Sequence, residues 1–207
     1  MTNSRGSQRT LTAFIQTSLD GYYSDNAGDM SFAHRPAEDM EWTEFLTGNA
    51  RSDNVLVLGR KTYELMSQWW PTPAAAAMYP ELAARMNSLP KLVFSHRLRT
   101  TDWNNTTLVR RDAVKAIREM KTQKGPNMSI LGSASLVRQL SQAGLVDVLQ
   151  VVVNPVALGA GHSLLAGLDR REPLQLAKSR VFANGSIVLW YAPLPAQTLF
   201  NPRAPNV

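Results

Sequence analysis

Arg60 and Lys61 stand directly behind Gly59, which ends a four-residue apolar run, Val55-Leu56-Val57-Leu58, and they are followed by Thr62, Tyr63 and Glu64. A buried strand that closes on glycine and turns into a helix leaves the first backbone N–H groups of that helix without partners. An anion docked there satisfies them and meets the positive end of the helix dipole, and two cationic side chains add formal charge at the same point. The chemistry of such a turn is the holding of phosphate. Two further strand ends repeat it: Ser95-His96-Arg97, and Gly132-Ser133-Ala134-Ser135. Any one of them is equally well explained as ordinary strand-to-helix punctuation in an α/β chain. Their co-occurrence is worth more than each alone.

The elements that must position these turns follow from periodicity. Residues 10–19 alternate around Leu11, Ala13, Ile15 and Thr17, with Phe14 on the other face, and read as a strand ended by the turn dipeptide Asp20-Gly21. Residues 22–36 lack periodicity and read as a long surface loop. A helix is predicted over 37–49, with Met40, Phe45 and Leu46 apolar and Asp39 and Trp42 three apart on one face. The strand at Val55 leads into a helix that Trp69-Trp70-Pro71 stops, and the alanine-rich residues 74–88 read as one more helix. Strands are predicted at 91–95 and, more weakly, at 106–110. Asp112 caps a helix through Lys121, Gly125-Pro126-Asn127 breaks it, and a short strand at 128–131 leads into a helix ending near Gly144. A near-continuous apolar strand over 146–153, with Asp147 fixing its entry, ends at Asn154-Pro155. A glycine-rich turn at 158–162 follows, then a hairpin of 174–182 and 187–191 around Asn184-Gly185. Strands alternating with helices imply an α/β fold with a mostly parallel sheet, covered on both faces and closed by an antiparallel hairpin. Ligands then gather at the carboxyl ends of the strands.

Composition narrows the function. At 207 residues the chain suits one domain, expected over 10–192, with a loose start at 1–9 and a proline-rich tail at 193–207. Lys and Arg exceed Asp and Glu by 22 to 16, a scattered excess that fits anionic small molecules as well as nucleic acid; nucleic acid would need a basic face with interleaved aromatics, and with the cations dispersed no such partner is expected. There is no Cys, so disulfides and thiol chemistry are excluded, and the three His at 34, 96 and 162 lack ligand spacing, so no metal site is expected. No apolar run approaches the roughly 20 residues of a membrane span. The polar residues 1–8 are unlike a secretory leader, and the expectation is a cytoplasmic protein with no membrane partner.

Four segments, in order, carry a resemblance: Ser18-Leu19-Asp20-Gly21-Tyr22, Leu58-Gly59-Arg60-Lys61-Thr62-Tyr63-Glu64, Leu131-Gly132-Ser133-Ala134 and Asn154-Pro155-Val156-Ala157-Leu158-Gly159-Ala160-Gly161. Together they resemble the dihydrofolate reductase superfamily, in particular the bacterial branch related to the reductase domain of the riboflavin-biosynthesis deaminase-reductase. That resemblance implies a mixed sheet of about eight strands flanked by helices, NADPH as cofactor, and a homodimer. It implies that Gly59, Arg60, Lys61 and Thr62 meet the pyrophosphate and the 2'-phosphate side of the cofactor. Ser95, His96 and Arg97 fall where the adenosine 2'-phosphate approaches, and Gly132, Ser133, Ala134 and Ser135 form the turn beneath the pyrophosphate and nicotinamide. The superfamily's dihydrofolate reductases place adjacent glycines there, and this chain keeps only the first. Asp39, with Trp42 on its face, resembles the helix carboxylate that hydrogen-bonds a pterin; it is the catalytic candidate, or else a solvated acid on a charged helix. Gln16 and Tyr23 align with positions near the nicotinamide, and with Trp42 they are the candidates for binding substrate. Asp20 either caps its turn or faces substrate.

The function implied is an NADPH-dependent reductase that transfers hydride to a C=N or C=O group of a small heterocyclic substrate of the pterin or ribityl-pyrimidine kind. The rival is a nucleotide-binding regulatory module that keeps the fold without the chemistry. Trp69, Trp70 and His162 are expected in packing and turn roles.

Overall fold

The structure is a computed structural model that describes residues 9–51, 53–169 and 171–194. Its strands are β1 (Leu11–Thr17), β2 (Tyr22–Ser24), β3 (Val55–Gly59), β4 (Lys91–Phe94), β5 (Thr106–Val109), β6 (Met128–Leu131), β7 (Val148–Val153), β8 (His162–Ser163), β9 (Leu174–Val181) and β10 (Ile187–Pro193). The helices are α1 (Met40–Arg51), α2 (Arg60–Trp69), α3 (Pro73–Met78), α4 (Pro80–Ser88), α5 (Ala113–Thr122) and α6 (Ala134–Gln142). Eight strands form one sheet in the order β5-β4-β3-β6-β1-β7-β10-β9, in which the first six are mutually parallel and β10 runs antiparallel to both neighbours. The sequence reading of a mostly parallel α/β sheet with an antiparallel C-terminal hairpin holds.

Alternation along the strands divides the core. Leu11, Ala13 and Ile15 of β1, with Val55 and Val57 of β3, face α5 and α6 and pack with Ala116, Ile117, Val137 and Leu140. The other face carries Leu56, Leu58 and Val93 against α2 and α4, and Val152 and Val188 against Trp42 and Phe45 of α1. β3 is therefore apolar on both sides. That is why β3 reads as a continuous run and why it lies in the middle of the sheet.

Several boundaries differ from the sequence reading. The loop predicted over 22–36 contains β2, which pairs with β8, and a single 3-10 turn at Ser31–Ala33. Both are too short to leave a periodic trace. The helix predicted from 37 begins at Met40, because Pro36 to Glu38 forms a turn whose carbonyls accept from Asp39 and Met40 N–H. The helix predicted over 74–88 is two: Tyr79 adopts φ −136° and ψ 67° before Pro80, whose ring disfavours a helical residue ahead of it. Asp112 does cap α5, accepting Lys115 N–H at 2.8 Å. Asp147 precedes β7 and accepts Leu11 N–H at 2.7 Å while pairing with Lys121, so it fixes the entry to β1 as well as to its own strand. Arg9, placed in the loose start, is buried and donates to Pro126 O. Most of the expected tail lies outside the described residues.

Candidate active site

Parallel strands put their carboxyl ends on one rim, and there β4, β3, β6 and β1 are consecutive. At about 4.8 Å per strand, their four ends span roughly 14 Å. Arg97, Lys61, Ser133 and Gln16 therefore belong to one edge rather than to remote surfaces.

The β3–α2 and β6–α6 turns are fused through one side chain. Ser133 Oγ accepts Gly59 N–H at 2.8 Å and stands 2.9 Å from Thr62 Oγ1, which also accepts Ser133 N–H at 3.2 Å. Gly132 and Ser133 both adopt left-handed conformations, with φ of 55° and 52°. For Gly132 this costs little; for Ser133 it is strained by roughly 1 kcal/mol or more. Gly59 is fixed by contact instead, since a Cβ there would meet Ser133 Oγ at 3.3 Å. The hydroxyls of Ser133 and Thr62 are spent on each other. What the turns offer a ligand is the N-terminal amides of α2 and α6, including those of Lys61 and Ser135, with buried Ala134 anchoring the start of α6.

The cations divide. Arg60 turns along α2 to Glu64 at 2.7 Å, whereas Lys61 is exposed and has no ion pair among the described residues. At the neighbouring strand end, Ser95 Oγ accepts Arg97 N–H at 3.1 Å and Leu98 N–H at 3.0 Å, which folds 95–98 into a tight turn. His96 and Arg97 project from it, exposed. Arg110, absent from the sequence reading, holds this turn from below by donating to Leu98 O and Arg99 O, each at 2.9 Å. No motif marked it; it became visible only through the β4–β5 pairing.

Gln16 lies on the α1 face of β1, beyond Phe14, and its Oε1 is buried without a hydrogen-bond partner. A buried acceptor left unpaired costs about 1–3 kcal/mol, so this atom calls for a donor from a ligand. Amides at two helix starts, uncommitted cations at two strand ends and an orphaned acceptor at the third make a donor and acceptor set that fits a dinucleotide phosphate and an amide-bearing ring. Among the described residues no group of three His, Asp or Glu side chains could hold a metal ion.

The remaining candidates are placed elsewhere. Asp39 caps α1, accepting Trp42 N–H at 3.1 Å on one oxygen and Asn184 Nδ2 at 2.6 Å on the other, so the acid read as catalytic is engaged in joining α1 to the β9–β10 turn. Trp42, read as substrate-binding, is 3% exposed, its ring 5.2 Å from Phe45 and 5.0 Å from Phe182; it is core. Tyr23 packs against the α5 and α6 side, its ring 5.9 Å from His162, on the opposite face of the sheet from Gln16. Asp20 is a clamp. Its carboxylate accepts Ser18 Oγ at 2.6 Å, Gly159 N–H at 2.7 Å and Leu158 N–H at 3.1 Å, and chiefly the Ser18 hydroxyl, then Gly159, lowers it to about 2. The 18–22 and 154–161 segments, distant in sequence, are thereby one rim structure. Trp70 is half-buried against the α2–α4 core, while Trp69 is more exposed.

Residues 9–188 match the family described as the RibD C-terminal domain. Two uncharacterised Bacillus subtilis proteins are similar along nearly their whole lengths. YyaP is 28% identical over 89% of this chain and 95% of its own, and YwjB is 25% identical over 84% and 93%. Among solved structures, a Shewanella sp. PV-4 protein whose name assigns it to riboflavin biosynthesis superposes with a TM-score of 0.68 at 23% identity, covering 90% of this chain and 99% of that one. A pyrimidine reductase-like protein from Corynebacterium diphtheriae gives 0.58 at 15% identity, covering 91% and 93%. These two likenesses concern the fold.

Proposed function

Because the chain belongs to the RibD C-terminal domain family, a reductase family of the dihydrofolate reductase superfamily, we propose that it is an NADPH-dependent oxidoreductase acting on a C=N or C=O bond of a small heterocycle. The observation that supports this most directly is the fusion of the β3–α2 and β6–α6 turns by Ser133, flanked by Lys61 and Arg97. NADPH, when bound, supplies the hydride. The helix-start amides of α2 and α6 would hold its pyrophosphate. Lys61, His96 and Arg97 would face the 2'-phosphate, and a charge-assisted bond there contributes about 1.5–3 kcal/mol, favouring NADPH over NADH. Gln16 Oε1 would accept an N–H from the ring that is bound above it. Asp39 has a positioning role in this reading, setting the end of α1 that flanks the rim.

Titration with NADPH is the test. A saturable quench of tryptophan fluorescence and a raised melting temperature are expected, both weaker with NADH. A flat response sinks the proposal. The engaged state of Asp39 favours one rival, a module that binds NADPH without turnover; it is distinguished by tight binding and no NADPH oxidation across a panel of pterins and pyrimidines.

A further inference from the structure

Two segments outside the four family motifs, the end of the loop at 35–38 and the α3–α4 corner, meet across an open groove of about 580 Å³. Pro36, Ala37, Ala74, Ala77 and Met78 give it small, apolar walls, and Met78 is 49% exposed in it. Tyr79 closes one end by donating its hydroxyl to Arg35 O at 3.0 Å. The groove is tied to the rim: Arg35 donates to Asn154 Oδ1 at 2.7 Å, and Asn154 donates both its backbone N–H and its Nδ2 to Thr17 O, one residue past Gln16.

Its charge is the telling property. Two charged residues line it, and one of them is committed. The Arg35 guanidinium donates to Phe32 O, His34 O, Asn154 Oδ1 and Ser186 Oγ, which leaves it poorly placed to receive an anion. Glu38 is exposed, has no ion pair among the described residues, and lies close enough to Tyr79 to help raise the phenol above its ordinary range, after burial. The groove of a chain with net charge +6 is thus apolar with an anionic lip.

We propose that this groove takes the part of the substrate that points away from the reducible bond, and that this part is apolar and carries no phosphate or carboxylate. Only the position of the reducible bond rests on the reductase reading; the preference for an unphosphorylated substituent belongs to the groove. A phosphate would enter beside Glu38 with no free cation among the lining residues to receive it, whereas an alkyl substituent covers Ala74, Ala77 and Met78.

Two probes decide it, a pterin bearing a short alkyl chain and the same pterin with that chain ended by phosphate, each titrated calorimetrically into the full-length protein with and without NADPH. The alkyl probe is expected to bind at least about ten-fold more tightly. Ala77→Trp, on an exposed face of α3, should weaken the alkyl probe about ten-fold by filling the groove while NADPH affinity holds. Glu38→Lys should narrow the gap between probes or reverse it. The proposal is overturned if the phosphate probe binds wild type as tightly as the alkyl one, if neither binds, or if both variants leave the ratio and the alkyl affinity unchanged. A kept alkyl preference with no NADPH response would sink the reductase reading alone.

Discussion

Ser133 concentrates what single residues do here. Its hydroxyl serves Gly59 N–H, and its backbone bears left-handed strain that glycine would avoid. Ser133→Ala keeps the strain and orphans that amide, so a loss of about 1–2 kcal/mol is expected. Ser133→Gly relieves the strain and should be about 1 kcal/mol more stable than the alanine variant. Urea unfolding of both beside the wild type tests this: an alanine variant as stable as the wild type would remove the hydroxyl from its linking role, and one as stable as the glycine variant would remove the strain. Asp20 gives a pH signature. Its carboxyl is depressed to about 2, so the bonds to Leu158 and Gly159 are intact above pH 3.8 and contribute less as pH falls through 2. The amide shifts of these two residues should titrate with a midpoint near 2, and a midpoint at or above 3.8 would mean the clamp is absent in solution. The sequence showed Asp-Gly as a turn and could not show this role, because the amides that hold Asp20 come from about 138 residues later in the chain.

Elements were legible where one period ran long enough to be counted. β1, β3, β7 and α5 stood out by alternation, continuous apolarity or a capped stripe, and the end of β3 supplied the first of the three turns of the rim. β2, β8 and the α3–α4 break were not, since two or three residues carry no period and only the Tyr79-Pro80 step marks the break. Lys91 was also hidden, because a lysine opening a strand reads as solvent-facing. It is 1% exposed, its Nζ donates to Asn87 O, Leu89 O and Asn104 O, and it stands 4.3 Å over the Trp103 ring, closing the end of α4 onto β4. Burial lowers it to about 8 from 10.5. The folded state therefore binds fewer protons than the unfolded one between those values, so its contribution to stability rises with pH across 8 to 10.5 and is flat below 8. Lys91→Met should abolish that rise and cost about 2–3 kcal/mol at neutral pH by leaving carbonyls unpaired. Chemical denaturation of both proteins at pH 7, 9 and 10.5 reads it; parallel curves for the two would refute the assignment.

At the scale of the molecule, the outer part of one sheet face, over β9 and β10, is exposed among the described residues, while Leu149 at its inner edge is buried. On the side away from α1, Val153 of β7, Ile187 of β10 and Val181 of β9 lie in one row, and Leu149, Tyr191 and Leu176 in another, with Val151 and Leu189 between them. Ile187, Leu176 and Val181 are 37%, 49% and 70% exposed, and none of these positions carries a charge. The cations of β9 point the other way, Lys178 over Trp190 and Arg180 to Glu41. A face without charged side chains lets two copies of a chain with net charge +6 meet without bringing like charges into contact, and exposed apolar side chains along an edge strand are otherwise an aggregation hazard. We therefore propose a homodimer joined through β9 and β10, related by a two-fold axis that makes the same patch serve on both sides. Light scattering after gel filtration should give twice the chain mass of 22.9 kDa. Val181→Lys combined with Ile187→Lys should return it to one chain, since each association event would then bury four ammonium groups against one another. NADPH binding should persist in that variant, because the rim that carries Lys61, Ser133 and Arg97 is built from β3, β6 and β4, strands outside the patch. A variant that stays dimeric would move the interface elsewhere, and one that turns monomeric and loses NADPH would mean that pairing of copies shapes the rim itself.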